Sequence, residues 1–182
     1  MKLYQIERRM KIALDMLRVN DNYLLVHDVN ERSITHKLAM YLNETFGKEY
    51  DVDCEYNRNS EDPSNSKRIR YVAMSINNAL KNSQNETEDL INGLYIERSV
   101  YPDIIVHKRG TNSKNLLAVE VKKSTSRIST NYDIQKLKCY TDSNDEEGLH
   151  YKYGVLIVLN AKQERYSEPE LIYFKKGHRV EL

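Results

Sequence analysis

Two carboxylates and one lysine lie next to apolar runs in the middle of the sequence. Asp103 precedes the run 104–106, and Glu120 and Lys122 follow the run 116–119. Two carboxylates held close together in a partly dry place repel each other, so the pair must take up a proton or bind a cation. Oxygen ligands of this kind select magnesium or manganese, which also bind phosphate groups and water. Lys122 can then orient an attacking water and stabilise negative charge on a reacting phosphodiester.

Two adjacent strands are expected to bring these side chains together. Short aliphatic runs bounded by turn residues favour strands, here 104–106 and 116–119, joined by a polar turn. Alternation along the second strand places Glu120 and Lys122 on one face. If the two strands pair, Asp103 and Glu120 share a small acidic pocket at the rim of the sheet.

The order of these residues resembles the signature of the PD-(D/E)xK nuclease superfamily, which has the fold of the restriction endonucleases. The resemblance rests on Asp103 after Pro102 and on the Glu-x-Lys string 120–122, and it extends over residues 30–160. It implies an α/β fold, a three-layer sandwich with a mixed central sheet flanked by helices. It also implies a hydrolase that uses magnesium or manganese to cut the phosphodiester bonds of nucleic acid, with DNA the expected substrate.

The resemblance adds site residues on the helices around the two strands. A helix ahead of the catalytic strands often supplies another acidic residue in this superfamily, and Glu31 begins such a helix here. The helix after the motif often carries a lysine or glutamine facing the site, which corresponds to Gln135 and Lys136. The metal ligands that it implies are Asp103, Glu120, Glu31 and the backbone carbonyl of Val121. A glutamate in a first helical turn also complements the helix dipole, so a structural role for Glu31 stays open.

Composition indicates a single domain over residues 1–182 in the cytoplasm. The hydrophobic share of 40% suffices for one core, and 28 basic residues nearly balance 27 acidic ones. Any contact surface for nucleic acid is therefore local. We find neither an apolar stretch of membrane-spanning length nor the apolar block of a signal peptide, so no membrane partner is expected. Cys54 and Cys139 stand far apart, which favours reduced thiols over a disulfide or a zinc site.

Apolar periodicity predicts two helices ahead of the motif. The first runs from Leu3 to about residues 20–21, and the second is capped by Asn30 and stops at Gly47. Residues 1–28 are therefore expected to be an N-terminal helical extension of the single domain.

Further elements are expected on both sides of the motif. The predicted strands are residues 50–56, 71–74, 154–159, which is buried on both faces, and 171–174, which closes the edge of the sheet. Segment 58–100 is interpreted as a variable insertion with some helix. A third helix is expected from Thr130 or Asn131, either of which can cap it, to Tyr140.

Other chemistries and roles compete with catalysis at the acidic pair. The fold can also serve as an inactive binding or regulatory module within a larger complex. His107 lies on the Asp103 side of the first motif strand and competes as a proton-transfer or phosphate-binding group. A glycine-rich phosphate loop, a serine elbow and a Cys/His dyad are all missing from the sequence, which argues against those classes of enzyme. The form of the nucleic acid and the oligomeric state, with a homodimer among the options, are left open.

Overall fold

Six strands form one mixed sheet that carries the motif residues. The computed structural model describes residues 1–55, 101–144, 148–163 and 166–181, together with three short strands between residues 56 and 100. In their order across the sheet the six strands are β1 (Asp51–Cys54), β5 (Ile104–His107), β6 (Leu117–Lys123), β7 (Tyr153–Leu159), β8 (Glu170–Lys175) and β9 (His178–Val180). Only β6 and β7 are parallel, and the other neighbours are antiparallel.

The three remaining strands form a small antiparallel sheet of their own. They are β2 (Arg68–Val72), β3 (Asp89–Ile91) and β4 (Tyr95–Ser99), with β4 in the middle. The strand expected at residues 71–74 overlaps β2 only in part, and residues 73–74 lie outside the described residues. The helix expected within segment 58–100 also falls outside them.

Helices cover both faces of the six-stranded sheet. Two of them, α1 (Leu3–Val26) and α2 (Glu31–Phe46), share a buried apolar core with one face of β5, β6 and β7. A third helix, α3 (Asn131–Thr141), packs Leu137 and Tyr140 against the opposite face. The described chain is thus an α/β structure in three layers, as the sequence predicts. None of its described helices has both the length and the apolar character that a membrane span requires.

The parallel pair β6 and β7 fixes the position of α3. Parallel neighbours need a crossover connection, and α3 supplies it between the two strands. Gly154 on β7 permits a close approach, because a Cβ at this position would lie 3.1 Å from Leu137 Cδ2 and 3.2 Å from Thr141 Cγ2. The first turn of α3 therefore lies close to the end of β6, where the motif residues stand.

The predicted ends of α2 are confirmed. The side-chain oxygen of Asn30 accepts a hydrogen bond from the Arg32 N–H at 2.8 Å, which satisfies a backbone donor of the first turn. Gly47 ends the helix with a φ of 67°, a conformation that glycine adopts without strain.

The expected end of α1 at residues 20–21 is wrong, although a kink marks the place. Asp21 has non-helical angles (φ −129°, ψ 24°), and a second helical piece then continues to Val26. The Asp21 carboxylate accepts a hydrogen bond from Tyr41 and lies 3.5 Å from Lys37 Nζ, both on α2. These tertiary contacts stabilise the kinked continuation, which the local sequence does not predict.

Three further boundaries differ from the prediction. β1 ends at Cys54 rather than near residue 56, because Glu55 adopts a left-handed φ of 48°. The sheet closes with β9, which forms a hairpin with β8, so the predicted edge strand at 171–174 is not the edge. Neither capping residue proposed for α3 provides a side-chain cap, since Thr130 makes no such bond and Asn131 is already the first helical residue. Instead Ser129 Oγ accepts from the Asn131 N–H at 3.2 Å.

Candidate functional site

The register of β5 and β6 places Asp103 across from Glu120. Ile105 pairs with Ala118, and Ile104 pairs with Val119. Continuing this register by one residue places Asp103, which immediately precedes β5, across from Glu120. Ile105 and Ala118 both belong to the core beneath α3. Because strand side chains alternate between faces, both carboxylates lie on the α3 side of the sheet, together with Lys122.

Two carboxylates take the place of a strand partner at the free edge of β6. The Val121 N–H donates to Asp103 Oδ2 at 2.7 Å, and the Lys123 N–H donates to Glu31 Oε2 at 3.0 Å. The N–H and C=O of one strand residue point to the same edge, so the Val121 carbonyl faces this edge between the two carboxylates. Glu31, from the first turn of α2, therefore lies at the same edge as Asp103.

Glu120 is buried beneath α3 and forms an ion pair with Lys136. Its side chain is 1% exposed, and Lys136 Nζ lies 2.6 Å from Oε2. The second oxygen, Oε1, has no hydrogen bond partner among the described residues. Burial raises the pKa of Glu120 to about 8 against the attraction of Lys136, and Asp103 adds to the rise. Glu120 is thus the member of the ion pair that gains a proton on acidification.

Asp133 joins the two lysines of the site. Its side chain, on the first turn of α3, is 8% exposed. Oδ2 lies 3.1 Å from Lys122 Nζ, and Oδ1 lies 3.1 Å from Lys136 Nζ. Burial lowers the pKa of Lys122, but the combined attraction of Asp133, Glu31 and Asp103 outweighs this effect and the net shift is upward. Lys122 Nζ also stands 4.0 Å from Glu31 Oε1, so one ammonium connects α3 to the edge of β6.

The sequence interpretation missed Asp133, although a signal for it exists. Asp133 precedes Lys136, Leu137 and Tyr140 at spacings of three, four and seven, which puts it on the helix face that packs against the sheet. An acidic side chain on an otherwise apolar helix face is costly to bury unless a cation meets it. Here Lys122 and Lys136 provide the cations.

The charges of the site do not cancel. When all four carboxylates are ionised, Glu120 and Asp133 are balanced by Lys122 and Lys136, which leaves the carboxylates of Asp103 and Glu31 in excess. Burial raises the pKa of Asp103 despite the hydrogen bond from Val121, and the charges of Asp133 and Glu31 add to the rise. Two surplus negative charges side by side are the electrostatic complement of one divalent cation.

An open pocket of about 650 Å³ reaches these two surplus carboxylates. Asp103 and Glu31 contribute to its wall, together with Arg32, His36 and the 54% exposed Tyr101. A pocket of this size is in the range of ligand-binding sites. Asp103 and Glu31 are therefore within reach of a molecule in the pocket, whereas Glu120 lies behind them.

The donor chemistry of the site fits a hard divalent cation. As the side chains stand, the described residues contain no group of three or more His, Cys, Asp or Glu side chains positioned to hold a metal ion. The oxygens that could converge on a cation nevertheless include Oε1 of Glu120, which accepts no hydrogen bond among the described residues, and the Asp103 carboxylate, whose pKa is raised chiefly by burial. Magnesium and manganese prefer such oxygens. The residues that could hold the ion are Asp103, Glu120, Glu31 and the carbonyl of Val121.

Gln135 stands apart from this cluster. It is partly exposed on α3, next to Lys136, and none of the hydrogen bonds or ion pairs among the described site residues involves it. Between the two residues that sequence reasoning offered for this position, the structure brings Lys136 into contact with Glu120.

His107 lies at the other end of β5 from the site. Four residues separate it from Asp103, or about 13 Å along an extended strand. Its Nε2 is 2.8 Å from Asp53 Oδ2, and the side chain is buried. The competing role for His107 at the Asp103 site is therefore wrong, because an extended strand cannot bring the two together.

Comparison of the chain with protein-family models, with curated proteins and with solved structures finds no match.

Proposed function

We propose that this protein is a metal-dependent nuclease of the PD-(D/E)xK type, with a restriction-endonuclease-like arrangement of its α/β fold, acting on DNA. One observation carries the proposal. The register of β5 and β6, continued by one residue, places Asp103 just before β5 across from Glu120 on β6, and Lys122 follows Glu120 two residues later on the same face. Their site opens to a pocket and holds two surplus negative charges, which suits magnesium or manganese beside a phosphodiester.

Each side chain has a definite task in this proposal. A bound magnesium or manganese ion would polarise the phosphodiester and lower the pKa of a water molecule. Asp103, Glu120, Glu31 and the Val121 carbonyl would hold it, and Lys122 would orient the attacking water and stabilise the developing charge. Lys136 favours the ionised form of Glu120 within a buried site through its contact at 2.6 Å. The free thiols of Cys54 and Cys139 agree with a reducing compartment such as the cytoplasm.

Cleavage assays with purified protein test the proposal. Single-stranded DNA, double-stranded DNA and RNA are each incubated with magnesium, manganese or a chelator, and we expect metal-dependent cutting of DNA. Asp103→Ala and Lys122→Ala should abolish cutting while the protein keeps its melting temperature within a few degrees. The matched controls are Asp15→Ala and Lys11→Ala, whose side chains are exposed on α1. Cutting that persists in both site variants contradicts the proposal.

The ion pair between Lys136 and Glu120 favours a second candidate function. An ammonium at 2.6 Å already compensates the most buried carboxylate, as expected if the fold is a binding or regulatory module within a larger complex that no longer takes up metal. Calorimetric titration with Mn²⁺ separates the two candidates. Binding that Asp103→Ala removes supports the nuclease, and the absence of any binding heat at millimolar Mn²⁺ supports the module.

A further inference from the structure

We propose that Asp133 is a positioning residue that holds the ammonium groups of Lys122 and Lys136 in place at the site. The effect that we expect on catalysis rests on the proposed nuclease function. The anchoring of the two lysines by Asp133 does not depend on that function. Asp133 belongs to none of the sequence motifs that suggested the site. Its ion pairs among the described residues are with the two lysines, and it is not among the residues that line the pocket.

The geometry divides the Asp133 carboxylate between two partners. One oxygen lies 3.1 Å from Lys122 Nζ and the other 3.1 Å from Lys136 Nζ, so each ammonium has its own oxygen. All three side chains are largely buried: Asp133 is 8% exposed, Lys122 13% and Lys136 12%. The ammonium group of a lysine lies at the end of a flexible four-carbon chain, so directed contacts are needed to hold it in one place.

The other contacts of the two lysines are not equivalent. Lys136 retains Glu120 at 2.6 Å if Asp133 is lost, but the next carboxylate from Lys122 is Glu31 at 4.0 Å. Asp133 is therefore the main anchor of Lys122, which is the group assigned to the attacking water. A displacement of about 1 Å at such a group costs on the order of 10²-fold in rate.

Kinetics of Asp133→Asn give the first test. We expect kcat to fall by about 10²-fold with KM within about threefold of wild type, because the substrate pocket is untouched. Asp133→Glu should recover part of the loss, since it restores the charge. The matched control is Asp142→Asn, the same substitution just beyond the other end of α3. A purely structural role would lower the melting temperature and the active fraction alike, and it would leave kcat per folded molecule unchanged, which would overturn the proposal.

A double-mutant cycle sharpens this test. If Asp133 acts through the ammonium of Lys122, Asp133→Asn should lower the free energy of unfolding less in a Lys122→Met background, which lacks the ammonium, than in the wild type. Equal costs in the two backgrounds mean that Asp133 acts elsewhere, and they overturn the proposal.

Lysine labelling tests the anchoring without any nuclease activity. Wild type and Asp133→Asn are acetylated under native conditions, and peptide mass spectrometry follows Lys122 against the exposed reference Lys11. We expect Lys122 to be labelled at least about tenfold faster in the variant, because the freed side chain samples solvent. Faster labelling in a protein that cuts no nucleic acid removes the proposed function but supports the anchor. Unchanged labelling with the variant folded overturns the anchor itself.

Discussion

A cluster of charged side chains lies at each end of β5, and the pKa values of the carboxylates shift in opposite directions in the two clusters. At the His107 end, Asp53 lies 2.8 Å from His107 Nε2 and accepts hydrogen bonds from the Arg109 side chain. Asp51 accepts from the Arg109 backbone N–H at 3.0 Å and lies 3.3 Å from Lys108 Nζ. Burial works against the ionised form of Asp53, but its partners outweigh it, and the pKa values of both aspartates are lowered.

At the Asp103 end, ionising the carboxylates carries an electrostatic cost. Burial raises the pKa of Asp103 and that of Glu120, although Val121 and Lys136 stabilise their charged forms. The lowered pKa values show that ion pairs and hydrogen bonds outweigh burial at the first cluster, whereas burial outweighs them at the second. We therefore expect the first cluster to contribute to stability, and the proposed function assigns catalysis to the second; this difference can be tested.

The largest expected effect comes from Asp103→Asn. Asparagine keeps an acceptor for the Val121 N–H but removes a buried negative charge. Metal-dependent cutting should fall by at least about 10³-fold. The free energy of unfolding at pH 8 should rise by about 1 kcal/mol, because function and stability oppose each other at such sites. Cleavage rates and urea denaturation measure the two quantities, and a variant that is both active and less stable would break the comparison.

The next effect comes from Lys136→Met and depends on pH. In metal-free buffer at pH 9, the variant should lose about 3 kcal/mol of unfolding free energy, because Glu120 is left buried without its cation. At pH 6 the loss should be smaller. The pKa of Glu120 is about 8 with Lys136 in place and rises further without it, so at pH 6 Glu120 holds a proton in the variant and no unpaired charge remains. Urea denaturation at the two pH values is the measurement, and equal losses would mean that Glu120 does not titrate between them.

Local rules in the sequence are sufficient to predict the acidic pair. Apolar runs and alternation predict β5 and the first part of β6, and pairing of the two then puts Asp103 across from Glu120. The asparagine cap of α2 likewise depends on neighbouring residues only, and it also determines where Glu31 begins the helix.

The remainder of the site depends on contacts that no local pattern contains. Asp133 and Lys136 reach β6 only because α3 crosses close over Gly154. The same limitation explains why the role expected for His107 was wrong. Alternation places His107 on the same face as Asp103, but the length of β5 keeps the two side chains apart. Sequence reasoning therefore identifies residues on a strand more readily than the partners that a docked helix brings to them.

A smaller effect is expected from Asp53→Asn at the opposite cluster. The substitution removes the charge that meets His107 and Arg109, so unfolding should become easier by about 1–3 kcal/mol. Cutting by the folded fraction should stay within about twofold of wild type, because the Asp53 carboxylate pairs with His107 and Arg109 and does not line the pocket that Asp103 reaches. A cleavage assay at a temperature where the variant is fully folded is the check. Loss of cutting there would show that the two clusters are coupled and that the contrast between them is false.

The smallest effect is expected from Gln135→Ala. This residue precedes Lys136 on α3 but contributes no hydrogen bond or ion pair to the described cluster. Surface substitutions away from such contacts change stability by within about 0.5 kcal/mol, and alanine favours the helix. Cutting should change by less than about threefold, which steady-state kinetics can resolve against the larger loss in Lys136→Met. A loss in Gln135→Ala as large as that in Lys136→Met would mean that Gln135 meets the substrate directly, so that the site extends along α3 beyond its ion pairs.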